Sequence, residues 1–279
     1  MDLQLNDKTV IVTGGAKGIG AAAVRAFAKE GAKVAIAGRS PEEGQSLAGE
    51  TSGTFIEAEL SSETACRKVI DKTMAAFGRI DILVNNAISP TAAPFMELSD
   101  EDWLNQMNVK LLGYVRCARE VIPHMRKRGG GRIINIGGMA ARNVNSLAYS
   151  FGAANAGVAN LAKNLSGEFA KEGILVNCVH PGATRTSRQT IIQERQARDS
   201  FTNVEAAGRA AVDRIPIGRM IEPKDIADLV LFLVSNRAEG ITGQAIGVDG
   251  GASWGTVSYT HLRAHETEAD LVCRLLLEK

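Results

Sequence analysis

"KTVIVTGGAKGIG" occupies Lys8–Gly20, and the rest of the architecture is read outward from it. Its first half is a short apolar run rich in β-branched residues, which reads as a buried strand. "IGAAAVRAFAKEG" follows and predicts a helix from about Gly18 to Glu30, stopped by Gly31. Between them lies the glycine-rich turn "TGGAKGIG", Thr13–Gly20. Glycine lets the backbone turn tightly and approach a ligand closely. The free N–H groups and positive dipole end of the following helix suit a pyrophosphate. A tight strand–helix turn without a ligand would use the same residues, so the context decides.

That context is an alternation of strands and helices. After strand "KVAIAGR" come a helix near Pro41–Gly49, strand "TFIEAEL", helix Ser62–Phe77, strand "DILVNNA" and helix Asp100–Arg128. Strand "RIINIGG", helix Tyr149–Lys171, strand "ILVNCVH", helix Pro223–Val234 and a short strand around "QAIGVD" complete the series. Buried strands alternating with helices predict an α/β domain: a single doubly wound, seven-stranded, mostly parallel sheet with helices on both faces. Residues 1–256 form that domain. Ala183–Arg214 is polar and longer than an ordinary connection, which suits a lid over a site. Residues 257–279 begin afresh as an extraneous, disordered or helical tail. The tail resembles translated sequencing-adapter read-through at the end of an open reading frame, so His261, His265 and Cys273 receive no functional role.

Composition narrows the class. Lys and Arg total 32 against 31 Asp and Glu, which gives no electrostatic case for nucleic acid or an anionic membrane. No apolar run approaches the ~18 residues of a membrane span, and the N-terminus lacks a basic start and apolar signal core. The cysteines (Cys66, Cys117, Cys178 and Cys273) are scattered without metal-type spacing. Reduced thiols, a cytoplasmic location and no metal site are the expectations.

The spacing T-G-x-x-x-G-I-G resembles that of the short-chain dehydrogenases/reductases. "NNA" at Asn85–Ala87, Asn108 in "NVKLLG", "VN" at Val176–Asn177, "HPGATRT" at His180–Thr186 and "GQAIGVDGG" at Gly243–Gly251 extend the resemblance from about Leu5 to Trp254. It implies a Rossmann-like domain that binds a nicotinamide dinucleotide and assembles as a homodimer or homotetramer. Gly14, Gly18, Ile19 and Gly20 would hold the pyrophosphate region, with Glu59 and Leu60 beside the adenine. Asn86 and Ala87 would lie along the cofactor, and Pro181, Gly182 and Thr186 along the nicotinamide. Ile88 replaces the family's usual glycine and narrows this approach.

Cofactor choice follows from charge. An acidic residue at the end of the second strand would bind a ribose 2′-hydroxyl and repel a 2′-phosphate. Gly38 stands there, followed by Arg39, and Lys17 lies in the turn. Two cations favour NADP(H) over NAD(H).

The resemblance also implies a Ser/Tyr/Lys set with a supporting asparagine, and here the chain departs from it. The serine position after "RIINIG" is Gly138, and the tyrosine position thirteen residues on is Phe151. Counting back from Val176–Asn177 gives the same register and puts Asn155 at the lysine position. Tyr149 would need two more helical residues, a rotation of about 200°. Only Asn108 survives. A phenyl ring cannot move a proton, and an amide carries no charge to lower a neighbour's pKa. Candidate replacement acids are His180, Tyr149 and Ser146; His180 is the best placed for proton transfer near neutral pH, although it reads more simply as a plain loop histidine beside the cofactor. Lys163 falls on the outer half of its helix. Met139, Phe95 and Phe201 are candidate apolar walls. Arg185, Arg188, Arg195, Arg198 and Arg209 of the lid could meet an acidic substrate or form a solvated face. Three functions remain open: an NADP-dependent oxidoreductase with an atypical active site, a cofactor-binding pseudoenzyme, or an enzyme of another class such as a lyase. The small-molecule substrate is unspecified.

Overall fold

The computed structural model describes residues 2–89, 91–143, 147–199 and 201–253. Seven strands form one sheet: β1 (Thr9–Thr13), β2 (Lys33–Gly38), β3 (Thr54–Glu57), β4 (Ile82–Asn85), β5 (Gly131–Ile136), β6 (Ile174–Pro181) and β7 (Ala245–Val248). Their order is β3-β2-β1-β4-β5-β6-β7, and every pairing among them is parallel. All five residues of β1 are buried, as a central strand covered on both faces requires.

Helices supply the covers. α1 (Gly18–Lys29) and α9 (Pro223–Val234) pack together on one face, where Val24, Phe27, Ile226 and Val230 meet Val10, Val12, Val34 and Ile36. α3 (Glu63–Phe77), α5 (Gly113–Lys127) and α6 (Tyr149–Phe169) cover the other face. In α5 the buried stripe Tyr114, Cys117, Ala118, Val121, Ile122 and Met125 follows helical spacing. α2 (Pro41–Thr51) flanks β2 and β3. The strand order reverses beside β1, so a crevice opens at the carboxyl ends of β1 and β4, the usual ligand position in such sheets.

Two predicted elements differ. The expected helix Asp100–Arg128 is α4 (Asp100–Gln106), a π-helical turn at Met107–Leu112, and then α5. Arg116 Nη1 braces that turn, donating to the Asn108 carbonyl (3.2 Å), Asn108 Oδ1 (2.8 Å) and the Ser61 carbonyl (2.9 Å). The irregular lid is largely α7 (Ser187–Asp199) and α8 (Val204–Asp213), which pack on each other. The tail expected at 257–279 and the candidate acid Ser146 lie outside the described residues.

Candidate functional site

A cleft of about 1640 Å³ runs along the carboxyl ends of the strands and under α7 and α8. Gly14, Lys17, Gly18, Ile19, Arg39, Glu59, Leu60, Asn86, Ala87, Pro181, Gly182 and Thr186 all border it. Gly20 lies beneath the turn instead, where a Cβ would run into the Gly14 carbonyl. Gly14 itself has φ +62°, a left-handed conformation that glycine adopts without strain.

The "NNA" residues anchor this turn. Asn86 Nδ2 donates to the Thr13 and Gly14 carbonyls at 3.2 and 3.0 Å. The Asn86 and Ala87 amides donate to Thr13 Oγ1 at 2.9 and 3.2 Å. The end of β4 thus fixes the glycine turn against β1. "VN" works similarly at the far edge: Asn177 Nδ2 donates to the Ile241 carbonyl (2.8 Å), and Oδ1 accepts from the Gln244 amide (3.0 Å), registering β7.

At the end of the cleft beside β2, both cations expected to meet a 2′-phosphate already have partners. Arg39 Nη1 lies 3.1 Å from Glu59 Oε2, and Lys17 Nζ lies 2.6 Å from Glu43 Oε1. The Lys17 hydrogen bond holds the Glu43 carboxyl below its usual range. All four side chains are roughly half exposed, so these pairs are weak and exchangeable.

The other end is built differently. Gly138, Phe151 and Asn155 come together in the cleft. A Cβ on Gly138 would sit 2.6 Å from Asn155 Nδ2, so glycine at one position makes room for asparagine at the other. Asn155 is buried, and its Oδ1 has no hydrogen-bond partner. Arg188 of α7 lies over the Phe151 ring, with Cζ 4.8 Å from its centroid.

Two of the expected catalytic positions have side chains turned away from the cleft. Asn108 does not border the cleft; its side chain serves Arg116. His180 is fully buried beneath the Gly137–Gly138 backbone. Its Nδ1 accepts from the Gly138 amide at 2.9 Å, and Nε2 lies 3.8 Å from Cys178 Sγ. Burial, with Arg142 and Lys110 adding repulsion, lowers its pKa to about 4, so the ring stays neutral. It supports the loop and cannot act as an acid exposed in the cleft.

Tyr149 points elsewhere, with 42% of its surface exposed and its ring edge-on to Phe95 at 5.3 Å. Lys163 stands beside Gly243. Of the candidate walls, Met139 lines the cleft, whereas Phe95 and the fully exposed Phe201 do not.

The residue that sequence reasoning missed is Lys110. It is centred in the π-helical turn, 3% exposed, and borders the cleft. Its Nζ donates to the Gly137 carbonyl at 3.1 Å and lies 5.9 Å from the Tyr114 ring centroid. Burial, with repulsion from Arg188, lowers its pKa to about 7. A signal was present: Lys110 shares helical spacing with Gly113, Tyr114 and Cys117, all buried, so a charge stands on an apolar stripe. Single-turn π distortions of this kind are frequent at functional sites.

A parallel sheet with a glycine turn and a cleft at its switch point defines a dinucleotide-binding α/β protein. The sequence profile of the family described as enoyl-(acyl carrier protein) reductase matches residues 14–253. The chain belongs to the short-chain dehydrogenase/reductase family of NAD(P)-dependent oxidoreductases. It is 33% identical over 254 residues to the 3-oxoacyl-[acyl-carrier-protein] reductase FabG of Thermotoga maritima, covering 89% of this chain and 99% of that protein. L-Sorbose reductase from Gluconobacter frateurii, solved with NADPH and L-sorbose, superposes with TM-score 0.83 at 30% identity, over 90% of this chain and 98% of the other. The 3-ketoacyl-(acyl-carrier-protein) reductase of Brucella melitensis, complexed with NADH, gives TM-score 0.81 at 29% identity, over 90% and 100%.

The residues present fit such a cofactor. Gly14 and Gly18, both at positive φ, bring the start of α1 to the cleft as a seat for a phosphate group, and the orphaned Asn155 Oδ1 can accept a hydrogen bond from a hydroxyl. Among the described residues no helix is long and apolar enough to cross a membrane.

Proposed function

We propose that this chain is an NADP(H)-dependent oxidoreductase acting on a carbonyl, an alcohol or an activated double bond, with Gly138, Phe151 and Asn155 at the positions of the usual Ser, Tyr and Lys. The observation that carries this reading is the single cleft running from the glycine turn to Gly138, Phe151 and Asn155. The nicotinamide, when bound, supplies or accepts the hydride. The chain's own residues do the rest. The glycine turn binds phosphate, Arg39 and Lys17 exchange their carboxylate partners for a 2′-phosphate, and Asn155 orients the ribose. Phe151 holds no proton, so protonation falls to water or to the Lys110 ammonium. Proximity sustains slow hydride transfer even without a positioned tyrosine.

A cofactor-binding pseudoenzyme is the second reading. It is favoured by Arg188 covering the ring that stands in the tyrosine's place. The assembly proposed is a homodimer or homotetramer. Exposed Leu104 and Leu112, on the α4 and π-helical turns, suit such an interface, and sedimentation of the purified chain tests it. Three buried free cysteines suit a cytoplasmic setting.

Calorimetric titration of the full chain with NADPH and, in parallel, NADH tests the main reading. Micromolar NADPH binding with NADH at least tenfold weaker is expected. Failure of both to bind would overturn it.

A further inference from the structure

Lys110 is buried and Arg188 half-buried at the same end of the cleft, and both border it. Among the described residues neither meets a carboxylate. Lys110 donates to a backbone carbonyl, and Arg188 rests on Phe151 with its Nη2 buried and without a hydrogen-bond partner. They lie close enough to oppose each other's charge. Buried charges are normally paired, because uncompensated burial is expensive. The acidic residues bordering the cleft are engaged or removed from this pair. Glu59 holds Arg39, and Asp249 accepts from the Gly251 and Ser253 amides. Asp213 is exposed on α8. Of the other lid arginines, Arg185 is spent on Glu222 and Arg195 on Glu97, Arg214 borders the cleft but is exposed, and Arg198 and Arg209 do not border it.

Two convergent cations without an anion are the electrostatic complement of one. The cofactor's phosphates belong at the glycine turn, so the anion here comes from the substrate. From the pairing of Lys110 with the orphaned Arg188 fork on Phe151, we infer that the substrate carries a carboxylate, bound between Lys110 Nζ and the Arg188 guanidinium beside the reacting carbon. A planar fork with a free N–H edge suits a carboxylate, which accepts two parallel bonds from it. Met139 and Phe151 keep this end apolar otherwise, which strengthens the pairing. This inference rests on the dinucleotide reading of the cleft for the phosphate assignment only. The two cations and their lack of partners stand without it.

The test is calorimetric titration of the full chain with oxalate, with and without saturating NADPH, for the native protein, Arg188→Met and Lys110→Met. Inorganic phosphate and the neutral diamide oxamide are parallel probes. Oxalate should bind the native protein and lose at least tenfold in affinity in each variant, while oxamide binds at least tenfold more weakly. NADPH affinity should change by less than about threefold. Oxalate binding that is absent, or unchanged in Arg188→Met, overturns the inference; so does phosphate binding as tightly as oxalate. If Lys110→Met fails to fold, the half-buried Arg188 still decides, with Arg188→Lys restoring part of the affinity. Loss of NADPH binding in the native protein alone would sink the cofactor reading, and the oxalate comparison without NADPH would still decide this one.

Discussion

The two ends of the cleft treat charge in opposite ways. At the adenine end Lys17 and Arg39 keep 55% of their side-chain surface in water, and each has a carboxylate partner. At the other end Lys110 is buried and Arg188 half-buried with its Nη2 sealed from water, and among the described residues neither has one. Exposed pairs are nearly neutral for stability and readily exchanged for a ligand. Buried, uncompensated cations destabilise the fold and persist only where something else requires them. The difference teaches that the adenine end is a general seat, while the reactive end is committed to a particular chemistry.

The comparison breaks most visibly at the glycine turn. Gly20→Val should drive a side chain into the Gly14 carbonyl, abolish NADPH binding (more than about 100-fold) and destabilise the domain by roughly 2–3 kcal/mol. Titration combined with thermal unfolding checks both effects. Normal NADPH affinity in this variant would remove the turn from the cofactor site.

Next in size is restoration of acid–base chemistry. Phe151→Tyr with Asn155→Lys should raise turnover on any carbonyl the native chain reduces by about 10²–10⁴-fold. Steady-state kinetics measures it, and activity appearing where none existed before would favour the pseudoenzyme reading. Gly138→Ser alone should be harmful instead, because its Cβ meets Asn155 Nδ2.

Lys110→Met sharpens the comparison through stability. The native Lys110 gives up its proton near pH 7, whereas in the unfolded chain it does so near 10.5. Its burial penalty is therefore full below pH 7 and fades as pH rises toward 10.5. Each unit of depression corresponds to about 1.4 kcal/mol, and a domain of this size shifts by roughly 2–4 °C per kcal/mol. The variant should melt several degrees higher near pH 6, with the gain shrinking in alkali. The groups facing Lys110 are Tyr114 just beyond the π-helical turn, Arg188 from α7, and Cys178 and His180 from β6. A Tm difference independent of pH would show that Lys110 is not the titrating group.

The smallest effect is expected at Arg39. Arg39→Ala should weaken NADPH by about tenfold and leave NADH and stability nearly unchanged, within about 0.5 kcal/mol. Equal loss for both cofactors would mean that Arg39 does not read the 2′-phosphate.

Much of this was legible in the chain, and the exceptions have physical causes. The strand runs and the glycine turn are local patterns, so β1, α1 and the alternation that follows could be read directly. The Gly138, Phe151 and Asn155 register came from counting residues, and these three do share one wall of the cleft. Where the Asn108 and His180 side chains point could not be read, because burial and direction are not sequence properties. One side chain turned back to Arg116, and the other slid under a backbone segment whose amide it accepts. Lys110 could be suspected from its helical spacing with the buried Gly113, Tyr114 and Cys117, but the sequence does not say that its ammonium reaches the Gly137 carbonyl at the cleft.

The sequence by itself determined the doubly wound sheet, the glycine turn and the spacing of Gly138, Phe151 and Asn155, because each depends on residue type and short-range spacing. Only the tertiary structure decided which charges are partnered and which are stranded. That outcome depends on four separate segments, the π-helical turn, the end of β5, the start of α6 and the lid helix α7, converging on one end of one cleft. Convergence across so much chain is set by packing, and no local pattern encodes it.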